Sequence, residues 1–141
     1  MDSLLYLSLT KAYHAQKNRL RPGLPAIGLS PGQPKILKHL LEQDHCMQKE
    51  LAEECGIQPA TVSRLIDNME QEGLVVRGGT DERRRAACIS ITGAGRAAFE
   101  RWRQWCAEVE KESLRDFSEE EKAQFAAYLG RMYHNLTGKT L

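Results

Sequence analysis

The sequence predicts a mainly α-helical chain with one small β-hairpin, and three observations lead to that prediction. Apolar residues recur at helical spacing through most of the chain. Residues 74–91 instead contain two short β-type runs on either side of a turn rich in glycine and arginine. The chain has 141 residues, 41% of them hydrophobic, which is enough for the core of a single domain.

The first predicted helix covers about residues 2–20, and its apolar side chains are Leu4, Leu5, Leu7, Leu9 and Tyr13. We expect the segment 21–25 to break it, because this segment contains two prolines and a glycine. Residues 30–33 (Ser-Pro-Gly-Gln) fit a capping box with proline at the first helical position, so a second helix is predicted to begin there. Its core positions are Ile36, Leu37, Leu40 and Leu41.

Residues 48–65 predict two short helices joined by a glycine turn. Leu51 and Cys55 lie one turn apart on the first of these helices, and Gly56 supplies the backbone freedom that the turn needs. Pro59 suits the first position of the second helix. The buried face of that helix is marked by Val62, Leu65, Ile66 and Met69. This spacing is that of a helix-turn-helix.

The opposite face of the second motif helix carries short hydrogen-bonding groups and one guanidinium. Such groups suit base edges and phosphates in a DNA major groove. We therefore predict that this helix contacts double-stranded DNA through Gln58, Thr61, Ser63, Arg64 and Asn68.

A β-hairpin is predicted directly after this motif, with strands at 74–77 and 87–91. Its turn holds Arg83, Arg84 and Arg85, although hairpin turns are well served by Gly, Asn or Asp. A solvated charge run is the alternative, but arginines that follow a DNA-reading helix suit insertion into a minor groove. The hairpin is therefore predicted to be the wing of a winged helix-turn-helix domain, with Arg77 as a further DNA contact.

Two more helices are predicted after the wing, one capped by Thr92 and one by a capping box at Ser118. They carry the apolar stripes Phe99, Trp102, Trp105, Cys106 and Val109, and then Phe125, Leu129, Met132, Tyr133 and Leu136. A winged domain has its own core, so these faces and that of the first helix need another surface. We predict a homodimer through Leu5, Leu9, Trp102, Trp105, Leu129 and Tyr133; the alternative is packing on the wing domain of the same chain.

The net charge of +1 is low for a DNA-binding protein, but the charges are unevenly distributed. Residues 77–103 carry seven basic side chains against three acidic ones, whereas residues 41–76 carry two against eight. That acidic excess lies on the first motif helix and toward the end of the second, while base edges normally meet the amino-terminal end of a recognition helix. We expect DNA binding to be assisted by the wing.

The composition excludes several other classes of protein. The four cysteines form no C-x-x-C pair, which argues against a zinc ribbon; we expect Cys55 to pack in the core and Cys88 to be accessible. The four histidines are dispersed, and only the adjacent His45 and Cys46 suggest a metal site, so no metal or cofactor is predicted. No phosphate loop, nucleophile motif or paired acid and base indicates an enzyme. No apolar run or signal sequence is present, so we expect a cytoplasmic protein without membrane contact.

The order of these elements resembles the MarR family of bacterial transcription regulators over nearly the whole chain. The similar stretches are Gly28-Leu29-Ser30 through Leu40, Glu50-Leu51-Ala52, Val62 to Ile66, Glu72-Gly73-Leu74-Val75, Asp81-Glu82-Arg83-Arg84 and Ile91-Thr92-Gly93-Ala94-Gly95. The resemblance implies that Asp81 braces the wing through a salt bridge, that Arg83 enters the minor groove and that Arg84 or Arg85 contacts phosphate. It also implies an obligate dimer with a small-molecule pocket between the dimer helices and the DNA-binding domain. The sequence departs from the family in its Pro22 and Pro25 linker, and in having no cysteine in the first helix, where peroxide-sensing members carry theirs.

Together these patterns predict a ligand-responsive repressor that binds a pseudo-palindromic operator as a homodimer. The expected regions are a dimerisation helix and linker at 1–29, the winged domain at 30–91 and dimerisation helices at 92–141. A small aromatic or anionic effector is expected, with Tyr13, His14 and His39 as its pocket residues. A winged-helix module for protein contacts and a metal-sensing regulator are the alternatives. The arginine-rich wing favours DNA, because a protein-binding wing would show aromatic or aliphatic anchors.

Overall fold

The computed structural model describes residues 4–78 and 88–141. These residues confirm a mainly α-helical fold with one small sheet. The helices are α1 (Leu5–Leu20), α2 (Gly23–Ile27), α3 (Gln33–Glu42), α4 (Gln48–Cys55), α5 (Pro59–Gln71), α6 (Gly93–Ser113) and α7 (Glu119–Thr137). The strands are β1 (Cys46–Met47), β2 (Val75–Arg77) and β3 (Cys88–Ile91). The predicted contacts Asp81, Arg83, Arg84 and Arg85 lie outside the described residues.

The prediction that residues 21–25 break the first helix is confirmed, because α1 ends at Leu20, and a short helix that was not predicted, α2, begins at Gly23. Pro22 is the N-cap of α2 with backbone angles already in the right-handed helical region. A helix start does not need the N–H that proline lacks, so the prolines are compatible with the first turn. The helix ends at Gly28, whose φ of +87° places it in the left-handed region that glycine adopts readily.

Trp105 of α6 packs against the segment where α1 ends and α2 begins. Its indole Nε1 donates a hydrogen bond to the backbone oxygen of Leu20 at 2.9 Å. The ring lies so close to Gly23 that a Cβ there would collide with it. The guanidinium of Arg19 lies 5.1 Å from the ring centroid. This ring therefore has packing partners within its own chain and is half-buried there.

The third helix begins at Gln33, so the predicted capping box at Ser30 is only half formed. The N-cap is Gly32, with a φ of +90°, and not Ser30. The side-chain Oε1 of Gln33 does accept a hydrogen bond from the backbone N–H of Ser30 at 2.9 Å. Because the left-handed conformation of Gly32 is not helical, α3 begins only at Gln33. Glycine adopts this conformation readily.

The sheet has the order β1-β3-β2, and both strand pairs are antiparallel. Strand β1 was not predicted, because two residues are too short for a pattern. Its pairing makes β3 the central strand, and all four residues of β3 are buried. The expectation that Cys88 is accessible is therefore wrong: alternation marks a strand with one solvent face, and β3 has none.

One hydrophobic core joins α3, α4, α5, the sheet and the beginning of α6. Its fully buried apolar side chains are Ile36, Leu37, Leu40, Leu51, Val62, Ile66, Met69, Val75 and Ile89. Cys55, Phe99 and Trp102 pack against this core and are partly buried. The prediction for Cys55 is thus confirmed, and Trp102 also finds apolar partners within its own chain.

Helix α6 begins at Gly93 and is capped, as predicted, by Thr92. The hydroxyl of Thr92 accepts a hydrogen bond from the N–H of Gly95 at 3.0 Å and donates one to the carbonyl of Gly73 at 2.6 Å. The threonine therefore caps α6 and ties it to the turn before β2. Within the first turn of α6, the backbone at Gly95 lies so close to Leu74 that a Cβ on Gly95 would overlap the backbone oxygen of Leu74.

Replacing Gly95 by alanine is expected to destabilise the fold by about 1–3 kcal/mol, because backbone must move to admit the methyl group. Gly93→Ala is the matched control. A Cβ on Gly93 meets nothing within 4 Å, so this change should be neutral or stabilise by up to about 1 kcal/mol. Urea unfolding of both variants measures the difference. Equal stability of the two would contradict the packing described for Gly95.

The described residues divide into two compact units, the first ending at Ala107 and the second spanning Glu108–Leu141. In the second unit, α7 starts with the predicted capping box. Ser118 Oγ accepts from the N–H of Glu121 at 3.1 Å, and the Glu121 carboxylate accepts from the N–H of Ser118 at 2.8 Å. Across residues 4–78 and 88–141, no helix combines the length and apolar character needed to span a membrane.

Candidate nucleic-acid interface

Helices α4 and α5 form a helix-turn-helix whose turn is set by Gly56. This glycine ends α4 with a φ of +63°, and the N–H of Ile57 donates to the carbonyl of Ala52 at 3.1 Å. Pro59 opens α5, where a missing N–H costs nothing. The inward faces of both helices are buried in the core. The predicted motif is therefore confirmed, including its register.

The outward side of α5 presents the polar residues that the sequence predicted. Arg64 and Asn68 are exposed, and Thr61 is half-buried. Because these three are spaced by three and four residues, they share one side of the helix. Gln58 is the exposed, extended N-cap, and the half-buried Ser63 lies on the flank. The structure thus places Thr61, Arg64 and Asn68 on one side of α5, with Gln58 at the start of the helix.

Arg77, a predicted DNA contact, is ion-paired within its own chain. Its guanidinium pairs with two carboxylates of α5, with 2.6 Å between Nη2 and Asp67 Oδ1 and 3.1 Å between Nη1 and Glu70 Oε1. Both carboxylates belong to the acidic end of the helix, whose negative charge is thereby partly neutralised. Sequence reasoning missed this because the pairs span seven and ten residues across a turn.

The base of the wing is formed by β2 and β3. Arg77 lies opposite Ile89 in the strand register, and the N–H of Gly78 donates to the carbonyl of Cys88 at 3.0 Å. Residue 78 therefore leaves the sheet beside the carboxyl-terminal half of α5, to which Arg77 is paired. The arginines at 83–85 belong to the segment between these strands, outside the described residues.

A polar network that the sequence did not predict ties β3 to the loop before β1. Asp44 Oδ1 accepts hydrogen bonds from the N–H groups of His45 and Ile91, each at 3.0 Å. His45 has a φ of +56°, which is uncommon for a residue with a side chain, and its Nδ1 lies 2.6 Å from Ser90 Oγ. Arg96 adds a contact of 3.6 Å to Asp44 Oδ2. The network supports the wing strand from the side opposite β2.

The adjacent pair His45 and Cys46 is not drawn into a metal-like cluster. Within the part of the chain that the structure describes, no three His, Cys, Asp or Glu side chains are placed to hold a metal ion. The Cys46 thiol donates to Glu50 Oε2 at 3.2 Å. Burial, followed by this hydrogen bond, raises the pKa of Cys46 to about 12. Burial and the hydrogen bond to Glu50 therefore disfavour the thiolate, which is the nucleophilic form of cysteine.

The predicted effector residues lie on two helices of the first unit. Tyr13 and His14 are exposed on α1, with ring centroids 5.4 Å apart. His39 is half-buried on α3, and its Nε2 is buried without a hydrogen-bond partner among the described residues. Two open grooves, of about 480 and 440 Å³, run along α7 in the second unit and share Tyr128. The predicted effector residues line neither of these two grooves.

The predicted dimer residues fall into two groups. Trp102 and Trp105 are half-buried by contacts of their own chain. Leu5, Leu9, Leu129 and Tyr133 instead belong to α1 and α7, neither of which contains a single buried residue. Large apolar side chains on these helices are strongly exposed, among them Tyr6 at 73% and Leu136 at 75%.

A helix-turn-helix on a three-stranded sheet, with a polar outward face on its second helix and a hairpin beside it, defines a winged helix-turn-helix DNA-binding protein. The model of the MarR family matches residues 27–86. The chain is 30% identical to a solved transcriptional regulator, PA3341, covering 96% of this chain and 99% of that one with a TM-score of 0.77. A MarR family protein from Bacillus stearothermophilus is 27% identical, covers 94% of this chain and 93% of its own, and gives a TM-score of 0.82.

A curated relative supports the same assignment. The HTH-type transcriptional repressor YetL of Bacillus subtilis (strain 168) is 29% identical over 135 residues, which are 94% of this chain and 81% of that protein. The chain belongs to the MarR family, as the resemblance of its motifs predicted. It is a DNA-binding transcription regulator with a winged helix-turn-helix, and its family is one of regulators.

Proposed function

We propose that this regulator is a homodimeric repressor that binds a pseudo-palindromic operator and releases it when a small effector binds. The observation that carries the proposal is the shared side of α5, where Arg64 and Asn68 are exposed and Thr61 is half-buried, on a helix that is ion-paired to the base of an arginine-rich wing. The similarity to the repressor YetL, which extends over 94% of this chain, supports repression of transcription rather than activation. A regulator of chromosomal DNA acts in the cytoplasm of a bacterial cell.

Each side chain on this surface has a distinct use in DNA recognition. Arg64 can pair with guanine in the major groove or with a phosphate, and Asn68 can pair with adenine. Thr61, near the start of α5, suits a phosphate or a thymine methyl group. Ser63 and Gln58 extend the surface toward the helix start, where base contacts are usual. The wing arginines, with Asp81 as their brace, are proposed to grip the adjacent minor groove.

A second copy of this chain is the partner that α1 and α7 require. These helices have 16 and 19 residues and no buried side chain, although α7 alone exposes Phe125, Tyr128, Leu129 and Leu136. Isolated helices of this length are marginal in water without tertiary packing. Twofold association would cover both and would also present two reading helices to successive half-sites. We therefore keep 1–29 and 92–141 as dimerisation regions around the DNA-binding region 30–91.

The reading role of Arg64 predicts a loss of sequence preference. Arg64→Ala should weaken binding to the operator by about 1–3 kcal/mol per contact while changing binding to a scrambled duplex much less. The operator is obtained by selecting duplexes from a random-sequence pool with the parent protein, and affinities are measured by fluorescence anisotropy. Arg115→Ala, an exposed arginine of the second unit, is the matched control.

The ratio of operator to scrambled affinity decides the outcome. It should fall for Arg64→Ala and stay at the parent value for Arg115→Ala. An unchanged ratio for Arg64→Ala would remove this residue from the reading surface. If the parent itself enriches no sequence, the protein is not a sequence-specific DNA-binding regulator, and the alternative of a winged module for protein contacts gains support.

The effector is proposed to be a small aromatic or anionic molecule held near Tyr13, His14 and His39. The buried Nε2 of His39, which has no hydrogen-bond partner among residues 4–78 and 88–141, supplies a hydrogen-bonding atom, and the rings of Tyr13 and His14 supply stacking surface. An effector changes DNA affinity only if it binds the DNA-free arrangement more tightly than the DNA-bound one.

A screen of phenols and aromatic carboxylates should therefore contain compounds that weaken operator binding by tenfold or more at saturation, corresponding to at least about 1.4 kcal/mol of coupling. His39→Ala should abolish the response while the variant still binds the operator. Circular dichroism verifies that each compound leaves the protein folded. A response confined to divalent metals would instead support the metal-sensing alternative.

A further inference from the structure

Arg77 joins the recognition helix to the wing through three contacts. Its guanidinium spans Asp67 and Glu70 at 2.6 and 3.1 Å, and its backbone N–H donates to Glu70 Oε2 at 3.2 Å. Only 23% of the Arg77 side chain is exposed, against 58% of Asp67 and 41% of Glu70. The arginine is thus the half-buried member of the group, and the two carboxylates lie around it.

The chain between these residues is tightly turned. The N–H of Gly73 donates to the carbonyl of Glu70 at 3.1 Å, that of Leu74 donates to Met69 at 2.9 Å, and Gly73 has a φ of +76°. Such a turn ends a helix and fixes the direction of the next residues. Arg77 is the last residue of β2 and pairs with Ile89 of β3. Its ion pairs therefore act where the two strands leave the sheet toward the wing tip.

The same contacts affect the charge of the reading surface. Asp67 lies three residues after Arg64, so the two share a side of α5. A carboxylate at this place would repel a phosphate and compete with DNA for Arg64. The guanidinium of Arg77 instead engages Asp67 at hydrogen-bond distance. The pair thus limits the unfavourable charge on the helix that faces DNA.

We propose that Arg77 is a positioning residue for DNA recognition, which holds the base of the wing against α5 through Asp67 and Glu70. This inference rests on the proposed function, in which α5 and the wing bind DNA together. It replaces the expectation that Arg77 contacts DNA directly. Helix and wing must meet neighbouring grooves at once, so a wing base that moves relative to α5 weakens the grip of both on the duplex.

The variant Asp67→Asn/Glu70→Gln distinguishes positioning from simple charge effects. It keeps side-chain size and removes two negative charges per subunit, which by electrostatics alone would tighten DNA binding. Positioning predicts the opposite: binding to the selected operator weakens about tenfold, an effect on the scale of one arginine contact. The control Glu53→Gln/Glu54→Gln makes the same charge change at exposed positions of α4 and should hold or tighten binding.

A cycle with Arg77→Gln completes the test. Arg77→Gln should weaken binding to a similar degree, and adding it to the double variant should cause little further weakening, since residues of one network are not additive. If Arg77→Gln weakens binding while the double variant binds as tightly as the α4 control, Arg77 is a direct DNA contact and the proposal is wrong.

Hydrogen exchange on the free protein gives a readout that does not depend on DNA. The amides of Arg77 and Gly78 should exchange faster in Asp67→Asn/Glu70→Gln than in the parent, while those of α3 stay unchanged. Unchanged exchange at the wing base would overturn the positioning role even if DNA binding fell. A parent that selects no operator, with exchange altered as expected, would overturn the proposed function and leave the structural link intact.

Discussion

A variant with Arg83, Arg84 and Arg85 all replaced by alanine is expected to lose most of its affinity for DNA of any sequence. Each arginine that meets a phosphate or a minor groove contributes through counterion release, which is independent of base identity. The slope of log K against log salt should fall by about one unit for every arginine–DNA interaction removed, hence by up to about six for the two wings of a dimer. Anisotropy with operator and scrambled duplexes at several salt concentrations measures this.

The control for the wing variant changes the same number of charges elsewhere. Lys111→Ala/Arg115→Ala/Lys139→Ala removes three exposed basic groups of the second unit and should leave the salt slope near the parent value. Asp81→Ala should resemble the wing variant in part, because an unbraced wing presents Arg83 less often. A wing variant that binds as the parent does at every salt concentration would show that the hairpin does not bind DNA.

The helix-turn-helix was predictable because its constraints are local. Gly56 had to supply a left-handed turn, and Pro59 had to stand at a helix start. The apolar spacing from Val62 to Met69 marks one buried face of α5, and that also fixes which side is outward. The helix caps at Thr92 and Ser118 were also predictable from the sequence, because a capping side chain and its partner lie three residues apart.

The features that the sequence did not show come from contacts between distant segments. Cys88 is buried because β1, more than forty residues earlier, makes β3 a central strand. Arg77 turns toward Asp67 and Glu70 across a turn whose geometry no pattern records. The Trp105 ring lies against Gly23 in the first turn of α2, a helix that the proline-rich sequence did not predict. Spacing along the chain shows which residues share a face, but not which surface that face meets.

A single aspartate at Leu129 is expected to dissociate the homodimer and, with it, to abolish tight operator binding. Leu129 lies on the apolar stripe of α7 that one chain leaves exposed, so the change costs the single chain little. Burying a leucine side chain stabilises by roughly 1.5–3 kcal/mol, and a twofold interface loses this contribution from both subunits. The two buried carboxylates destabilise the dimer further. Sedimentation velocity at micromolar concentration should show a monomer.

The control Ala127→Asp adds the same charge two residues away, on the opposite side of α7, and should remain dimeric. Circular dichroism separates dissociation from unfolding, which matters because Trp105→Asp, by contrast, should unfold the corner of α1 and α2 rather than split a dimer. Monomeric Leu129→Asp should keep only weak, half-site binding, since each chain carries one reading helix. A stable monomer of the parent, or a Leu129→Asp variant that stays dimeric, would place the partner of α7 elsewhere.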